Sequence, residues 1–380
     1  MDVFAHATCC NVMVTYEITD LMAAAGHEQV VFVADAPSGL RAVIAIHSTA
    51  LGPSLGGVRF WRYDAEADAV ADVLRLSEAM TYKAAVAGLD QGGGKTVVMV
   101  DDPDRPRDEA LLLALGRAID ELGGRYLAAE DVGATPWDMD VIARMTPWVT
   151  GLDESLGGSG DPSSVTAVGV RAAMRAVRQA LDGTRSLEGL RVVVHGTGHV
   201  GTHLARLLAA DGAVLTLADR APGRAEALAS ELGAAVSDPG TALDLECDVL
   251  APCALGPVID LEHVARLKCR AMCGAANNQL AGLDVDDALA ARGILYAPDF
   301  VVNAGGIINL AEERGDGGYS RERAVARAEQ IEATTDAVLG RAHADGVPPG
   351  RAAESLARER IAREGKGYWR PEDSVPWRGA

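Results

Sequence analysis

The stretch LRVVVHGTGHVG at 190–201 constrains this chain more than any other. A strand-like run at 191–194, β-branched from Val192 to Val194, leads into Gly196, Gly198 and Gly201, and a helical pattern follows. Glycine at the first position permits a tight turn, at the second lets the backbone approach a pyrophosphate, and at the third allows close helix–strand packing. The helix that follows points its partial positive charge at whatever lies over the turn. Asp219 closes the next β-like run, VLTLAD. A carboxylate there accepts hydrogen bonds from a ribose 2′-hydroxyl and repels a 2′-phosphate. Together these features predict a dinucleotide cradle that prefers NAD to NADP, although Arg220 next door can accommodate a phosphate. Taken singly, the three glycines make only a tight turn in an α/β core. His195 and His199 read as packing or solvent-facing groups, but His199 and Val200 lie within the turn and count as candidate cofactor contacts.

Strand and helix patterns alternate on both sides of this cradle. Short apolar runs at 30–33 and 42–47 predict strands, and the glycine- and proline-rich 51–59 predicts a loop. Val70, Val73, Leu74, Ser77 and Met80 fall on one stripe of a helix, and Lys83 lies one turn beyond Met80. Gly92, Gly93 and Gly94 end that region, and 96–100 predicts a buried strand. The Gly/Ser/Asp-rich 150–161 reads as a hinge, and 165–181 as a helix. Later strands are expected at 214–218, 248–250, 271–273 and 294–296, and a long helix at 321–339 that returns to the first domain. With 380 residues, one core is too few. The expected fold is α/β with two domains, the second a Rossmann-type doubly wound parallel sheet. Their limits are 1–150 together with a returning helix at about 325–365, and 151–324, followed by a tail at 366–380.

Bulk properties exclude several classes. A formal net charge of −19 opposes binding to nucleic acid or to an anionic membrane. The apolar runs are too short to span a bilayer, and MDVFAHATCC lacks the basic and apolar regions of a signal peptide. Cys9, Cys10, Cys247, Cys253, Cys269 and Cys273 show neither CxxC spacing nor histidine partners. They predict free thiols, no metal, and a cytoplasmic location. Cys269 and Cys273 have the spacing to share a helix face.

Four polar residues stand in apolar or glycine-rich surroundings. Lys83 (in MTYK) and Lys95 (in GGGK) would be ordinary surface charges elsewhere. Beside the apolar stretches 84–89 and 97–100 they instead predict a partly dry cleft. Burial and a second cation lower a lysine's pKa, which makes it usable as a base near neutral pH. Asp131 follows a predicted strand at 126–129, where a carboxylate also serves as a cap. Asn303 precedes two glycines after a predicted apolar strand; a close approach to a ligand and a plain turn both fit.

The segments LGPSLGG (51–57), MTYK (80–83), LDQGGGK (89–95), AAEDVG (128–133), APCALG (251–256), GAANNQL (274–280) and YAPDFVVNAGG (296–306) resemble, in unbroken order, the glutamate/leucine/phenylalanine/valine dehydrogenase superfamily. The similarity is greatest to its valine and leucine enzymes. It implies a homo-oligomer whose N-terminal domain binds substrate, with NAD as cofactor and an amino acid, its 2-oxo acid and ammonia as small-molecule partners. It implies that Lys83 holds the substrate carboxylate and that Lys95 activates water and touches the carboxylate. Asp131 then holds the amino group and shuttles its proton, and Asn303 fixes substrate and nicotinamide. Thr166 and Asn277 match nicotinamide-binding positions, and Cys253, Ala254 and Ala275 complete the candidate cofactor contacts. Gly56, Met80, Ala129 and Thr150 match the side-chain pocket, with Thr335 and Val338 as further wall candidates.

Met80 stands where a glutamate enzyme would need a cation, so the implied activity is oxidative deamination of a branched-chain aliphatic L-amino acid. Thr335 adds a polar group and narrows the pocket less than a bulky aliphatic, which keeps an aromatic substrate open. A non-catalytic NAD-binding regulator is a third reading, opposed by the joint presence of Lys83, Lys95, Asp131 and Asn303. Gln91 and the run Ala134-Thr135-Pro136 depart from the family pattern.

Overall fold

The computed structural model describes residues 17–254, 259–315 and 317–370. Cys9, Cys10 and the MDVFAHATCC stretch, the end of APCALG and the tail beyond 370 lie outside the described residues. Five strands, β1 (Gln29–Asp35), β2 (Leu40–Ser48), β3 (Ser54–Trp61), β4 (Gly92–Met99) and β5 (Tyr126–Glu130), form a first sheet in the order β1-β2-β4-β3-β5. Only β2 runs against its neighbours; β3 is parallel to both β4 and β5.

Side chains alternate across a strand, and that period sorts this sheet into two faces. Ala42, Ile44, Ile46, Val58, Phe60 and Val98 pack with Leu112 and Leu115 of the helix Glu109–Asp120. Val43, Ala45 and Val97 pack instead with Val70, Val73 and Leu74 of the helix Glu66–Val86. Lys95 is two residues before Val97, and Arg59 alternates with Val58 and Phe60. Both therefore belong to the face covered by Glu66–Val86, the helix that carries Lys83.

The structure turns an expected loop, and the glycine run expected only to end a helical region, into strand. Residues 54–61 are β3, and Gly92, Gly93 and Gly94 open β4. Their glycines answer to cross-chain contact. A Cβ on Gly93 would lie 2.1 Å from the Thr81 backbone nitrogen, and one on Gly56 would lie 1.7 Å from the Gly94 carbonyl oxygen. Glycine inside a strand marks such close backbone approach.

Six strands, β6 (Arg191–His195), β7 (Val214–Ala218), β8 (Ala235–Val236), β9 (Cys247–Pro252), β10 (Cys269–Met272) and β11 (Leu295–Tyr296), form a second sheet ordered β11-β10-β9-β6-β7-β8. Every pair in it is parallel. Strand order reverses between β6 and β9, which opens a crevice at their carboxyl ends. The helices Ser163–Asp182 and His199–Ala210 cover one face through Val170, Val177, Leu204 and Leu208. Cys269 lies in β10, so no helix face joins it to Cys273, and the four described cysteines are free.

The helix expected at 321–339 is two helices, Arg321–Glu329 and Ile331–Asp345, which meet at Gln330 and pack on Ser163–Asp182. A third helix, Pro349–Glu364, returns to Glu66–Val86. There Arg360 donates to the carbonyls of Ala85 (3.0 Å) and Leu89 (2.7 Å), placing a cation at the carboxyl end of that helix. No described helix is long and apolar enough to cross a membrane.

A buried histidine pair fastens β2 to the helix beside it. His27 Nε2 lies 3.0 Å from Ser77 Oγ, His47 Nδ1 lies 2.8 Å from Thr81 Oγ1, and the rings meet edge to face at 4.7 Å. Burial lowers both pKa values below the usual 6.5, and for His27 the neighbouring His47 adds to the effect. The unfolded chain then binds protons that the native pair refuses, so the pair's stability contribution is intact above pH 6.5 and lost as pH falls below it. Urea midpoints at pH 7 and pH 5 should therefore diverge more for the wild type than for His27→Gln/His47→Gln. Equal divergence would remove the pair from the acid response.

Candidate active site

The side chains that matter converge where the first sheet's helix-covered face meets the second domain. Lys95, on β4, is 4% exposed. Its Nζ lies 2.7 Å from Asp131 Oδ2, just past the end of β5. Arg59 Nε reaches the same oxygen at 2.9 Å. Burial alone would raise the Asp131 pKa, but Lys95 and Arg59 outweigh it and hold the carboxyl down at about 2. Lys95 is itself pushed below its ordinary value, chiefly by burial, against the pull of Asp131. The buried Lys95 and, further off, the half-buried Lys83 thus stand near one ionised carboxylate.

Lys83 Nζ donates to Asn303 Oδ1 at 2.6 Å, a bond that crosses from the first domain to the second. Burial lowers the Lys83 pKa to about 8, with Asp299 opposing and Lys95 assisting. Asn303 caps the short helix Asp299–Val302, so Val301 and Val302 are helical where a strand was expected. The first of the two glycines after it approaches protein backbone: a Cβ on Gly305 would lie 2.4 Å from the Val165 carbonyl oxygen, whereas one on Gly306 would meet only the Thr166 hydroxyl, at 3.1 Å. Asn303 Nδ2 donates to Asn277 Oδ1 (2.8 Å) and to the Ala275 carbonyl (3.2 Å). Asp299 accepts from the Gln279 amide at 2.8 Å. One short element therefore braces both Lys83 and the loop at 274–280.

The expected side-chain pocket is more mixed. Ala129 and Val338 are buried in one apolar cluster, and Met80 packs against it. Thr150 Oγ1 donates to the Ala128 carbonyl at 3.3 Å. Thr335 Oγ1 donates to the Ile331 carbonyl at 2.7 Å, so its proton is already committed within its own helix. Gly56 lies in β3, its carbonyl accepting from the Tyr126 hydroxyl at 2.7 Å.

At the crevice, Gly196 adopts φ 104°, and its amide donates to the Ala218 carbonyl at 2.7 Å. A Cβ there would lie 2.5 Å from the Ala254 nitrogen, and one on Gly201 would lie 2.0 Å from the Gly196 carbonyl oxygen. Gly198, by contrast, has nothing within 4 Å on its Cβ side. It begins the helix His199–Ala210 and faces an open cleft of about 460 Å³ lined by Asp161, Thr197, His199, His203 and Arg224. Bare backbone at a helix amino terminus in an open cleft fits a dinucleotide pyrophosphate. Cys253 donates its amide to the His195 carbonyl at 2.7 Å, tying the ends of β6 and β9 together. Val200 is half-buried against the sheet, and Thr166 Oγ1 donates to the Pro162 carbonyl at 3.0 Å.

Asp219 accepts from the Thr197 amide (2.7 Å), the Thr197 hydroxyl (3.0 Å) and the Ala221 amide (2.8 Å). Burial would raise its pKa, yet these bonds and Arg224 keep it below the ordinary carboxylate value. Arg220 is exposed; the arginine that lines the cleft is Arg224, its Nη1 3.8 Å from Asp219. Sequence reasoning missed Thr197, Arg224, Asp299 and Arg59. Thr197 sits inside the glycine turn and was legible there, whereas the other three show their partners only in the fold. No cluster of metal-ligating side chains occurs among the described residues.

Two family models match the chain. One, for the Glu/Leu/Phe/Val dehydrogenase dimerisation domain, covers residues 27–148, and one for glutamate/leucine/phenylalanine/valine dehydrogenase covers 157–223 and 223–367. Leucine dehydrogenase of Bacillus cereus is 47% identical over 348 residues, which is 92% of this chain and 94% of that protein. Valine dehydrogenase of Streptomyces virginiae is 49% identical over 343 residues, 89% of this chain and 94% of that one. Among solved structures, L-tryptophan dehydrogenase from Nostoc punctiforme superposes with a TM-score of 0.82 at 36% identity, over 91% of this chain and 99% of that one. The chain belongs to the glutamate/leucine/phenylalanine/valine dehydrogenase family, amino-acid dehydrogenases that work with a nicotinamide cofactor.

Proposed function

We propose that this protein catalyses the reversible, NAD-dependent oxidative deamination of a small branched-chain aliphatic L-amino acid to its 2-oxo acid and ammonia. The observation that carries the reading is the meeting of Lys83, Lys95, Asp131 and Asn303 across the domain seam. Lys83 keeps two N–H donors beyond the one given to Asn303, and these bind the substrate α-carboxylate. Asp131, with Lys95 and Arg59 on Oδ2, offers Oδ1 to the α-amino group and takes its proton. Lys95, its proton loosened by burial, serves as base toward the water that attacks the imino carbon. A bound nicotinamide supplies the hydride acceptor. Around the side chain, Met80, Ala129 and Val338 provide apolar surface without a cation, which suits an aliphatic and not a glutamate side chain.

The choice of NAD rests on the ionised Asp219 at the end of β7, which repels a 2′-phosphate. The match of the first domain to a dimerisation domain supports a homo-oligomer, and free thiols support a cytoplasmic location. We assign substrate binding to residues 1–150 with the returning segment 325–365, and dinucleotide binding to 151–324. Packing of Pro349–Glu364 on Glu66–Val86 supports that division. A second reading, an aromatic substrate, draws on the likeness to L-tryptophan dehydrogenase.

NADH formation at alkaline pH with valine, leucine, isoleucine, phenylalanine, tryptophan and glutamate, with NADP as the control cofactor, separates these readings. The aliphatic members should lead, with NAD well ahead of NADP. A lead by tryptophan or phenylalanine would transfer the assignment to the aromatic class, and a lead by NADP would remove Asp219 from cofactor choice.

A further inference from the structure

Arg59 has no part in the reaction as assigned above, and we infer that it is a positioning residue for Asp131: it grips Oδ2 from the β3 side so that Oδ1 faces the substrate's amino group. The inference rests on the assignment of Asp131 and Lys95 to the reaction.

The fold brings the two together. β3 and β5 run parallel with Val58 opposite Glu130, so Arg59 and Asp131 emerge one step further along on the same face. Arg59 Nε donates to Asp131 Oδ2 at 2.9 Å, and Lys95 Nζ shares that oxygen at 2.7 Å. Arg59 is held at its other edge too. Its Nη1 donates to Asp72 Oδ2 at 3.1 Å, the Tyr63 hydroxyl donates to that same oxygen at 2.8 Å, and Arg75 takes Oδ1 at 2.8 Å. A guanidinium fixed at both edges is a rigid fork and cannot swing away from one partner without leaving the other. Asp131 has no freedom on the sheet side either: a Cβ on Gly57 would lie 2.5 Å from its own Cβ.

Electrostatics gives the arrangement a purpose. The charged or titratable groups acting on Asp131 are Arg59, Lys95, Lys83, Glu130, Tyr63 and Tyr126. Among these Arg59 is the one cation that never gives up its proton. Lys95 changes charge if it serves as a base, and Asp131 would then rise toward neutrality in a buried site were Arg59 absent. The same guanidinium disfavours the protonated form of Lys95. One fixed charge therefore keeps the acceptor ionised and helps the base to stay free.

Both effects push in one direction, which makes the test specific. In Arg59→Met, which keeps reach and loses charge, Asp131 and Lys95 both hold protons more tightly. The limb of kcat/KM that rises with pH should move by about one pH unit to higher pH. Asp72→Asn, which loosens Arg59 from behind, should move it the same way by less, and Arg59→Lys should bring it back toward wild type. A merely structural arginine would lower the rate evenly across pH. Limbs that coincide with wild type in both Arg59→Met and Asp72→Asn would overturn the inference; if Arg59→Met fails to fold, Asp72→Asn and Arg59→Lys carry the comparison. Lys95→Ala and Asp131→Asn run in parallel as controls. Turnover retained in those two would sink the assignment of the site itself, whereas turnover lost with an unmoved limb would sink only the role of Arg59.

Discussion

Lys95→Ala should lower turnover by roughly a thousandfold or more while binding of NADH, followed by its fluorescence, stays near wild type. The separation of the two readouts follows from the fold. Lys95 stands on β4 of the first sheet, and the glycine cradle stands at the end of β6 in the second. Truncation removes a buried cation 2.7 Å from Asp131 and leaves the carboxylate to Arg59. It also removes the amine proposed to take the proton of the attacking water, one whose own proton burial loosens. Lys95→Arg sharpens the test, because guanidinium keeps the charge but cannot release its proton. An inactive Lys95→Arg alongside an inactive Lys95→Ala assigns the defect to proton transfer. Near-normal turnover in Lys95→Ala would take the residue out of the reaction.

Gly56→Ala should cost about 3 kcal/mol of folding stability, the upper end of overpacking costs, or prevent folding altogether. Its added Cβ would lie 1.7 Å from the Gly94 carbonyl oxygen, and β3 is bonded on both sides, to β4 and to β5. No side-chain rotation relieves a clash with backbone. Denaturant midpoints of the purified variant check this directly. A Gly56→Ala protein as stable as wild type, with only its substrate preference changed, would mean that the glycine serves the pocket and not the sheet.

The contrast among the glycines explains what the sequence disclosed. Gly196, Gly198 and Gly201 have duties defined within a few residues: a positive φ, an open approach, and a contact with the neighbouring turn. Strand, turn, helix and Asp219 were therefore legible together. Gly56 and Gly93 are glycine because of atoms far along the chain, Gly94 in one case and Ser77 with Thr81 in the other. Local propensity reads such positions as loop, and only tertiary contact makes them strand. Arg59 was hidden for the same reason, lying within that misread loop while its carboxylate partner waits just past the end of β5. Lys83, Lys95 and Asp131 stood out because a charged residue amid apolar or glycine neighbours is locally improbable. Their roles came from family resemblance; spacing alone left each an ordinary alternative.

The bond between Lys83 and Asn303 has a consequence for ligands. In the proposed assignment the lysine serves the substrate, and the same Asn303 amide touches Asn277 and Ala275, the proposed cofactor contacts. A molecule that draws on Lys83 alters the pull on Asn303, and one that settles against the loop at 274–280 alters it from the opposite end. Reciprocity then requires that if dinucleotide tightens the hold on an amino acid by some factor, the amino acid tightens the hold on dinucleotide by that same factor. Under the proposed assignment, two half-sites on separate domains would then act as one heterotropic unit, with the Asn303 carboxamide as the group they share.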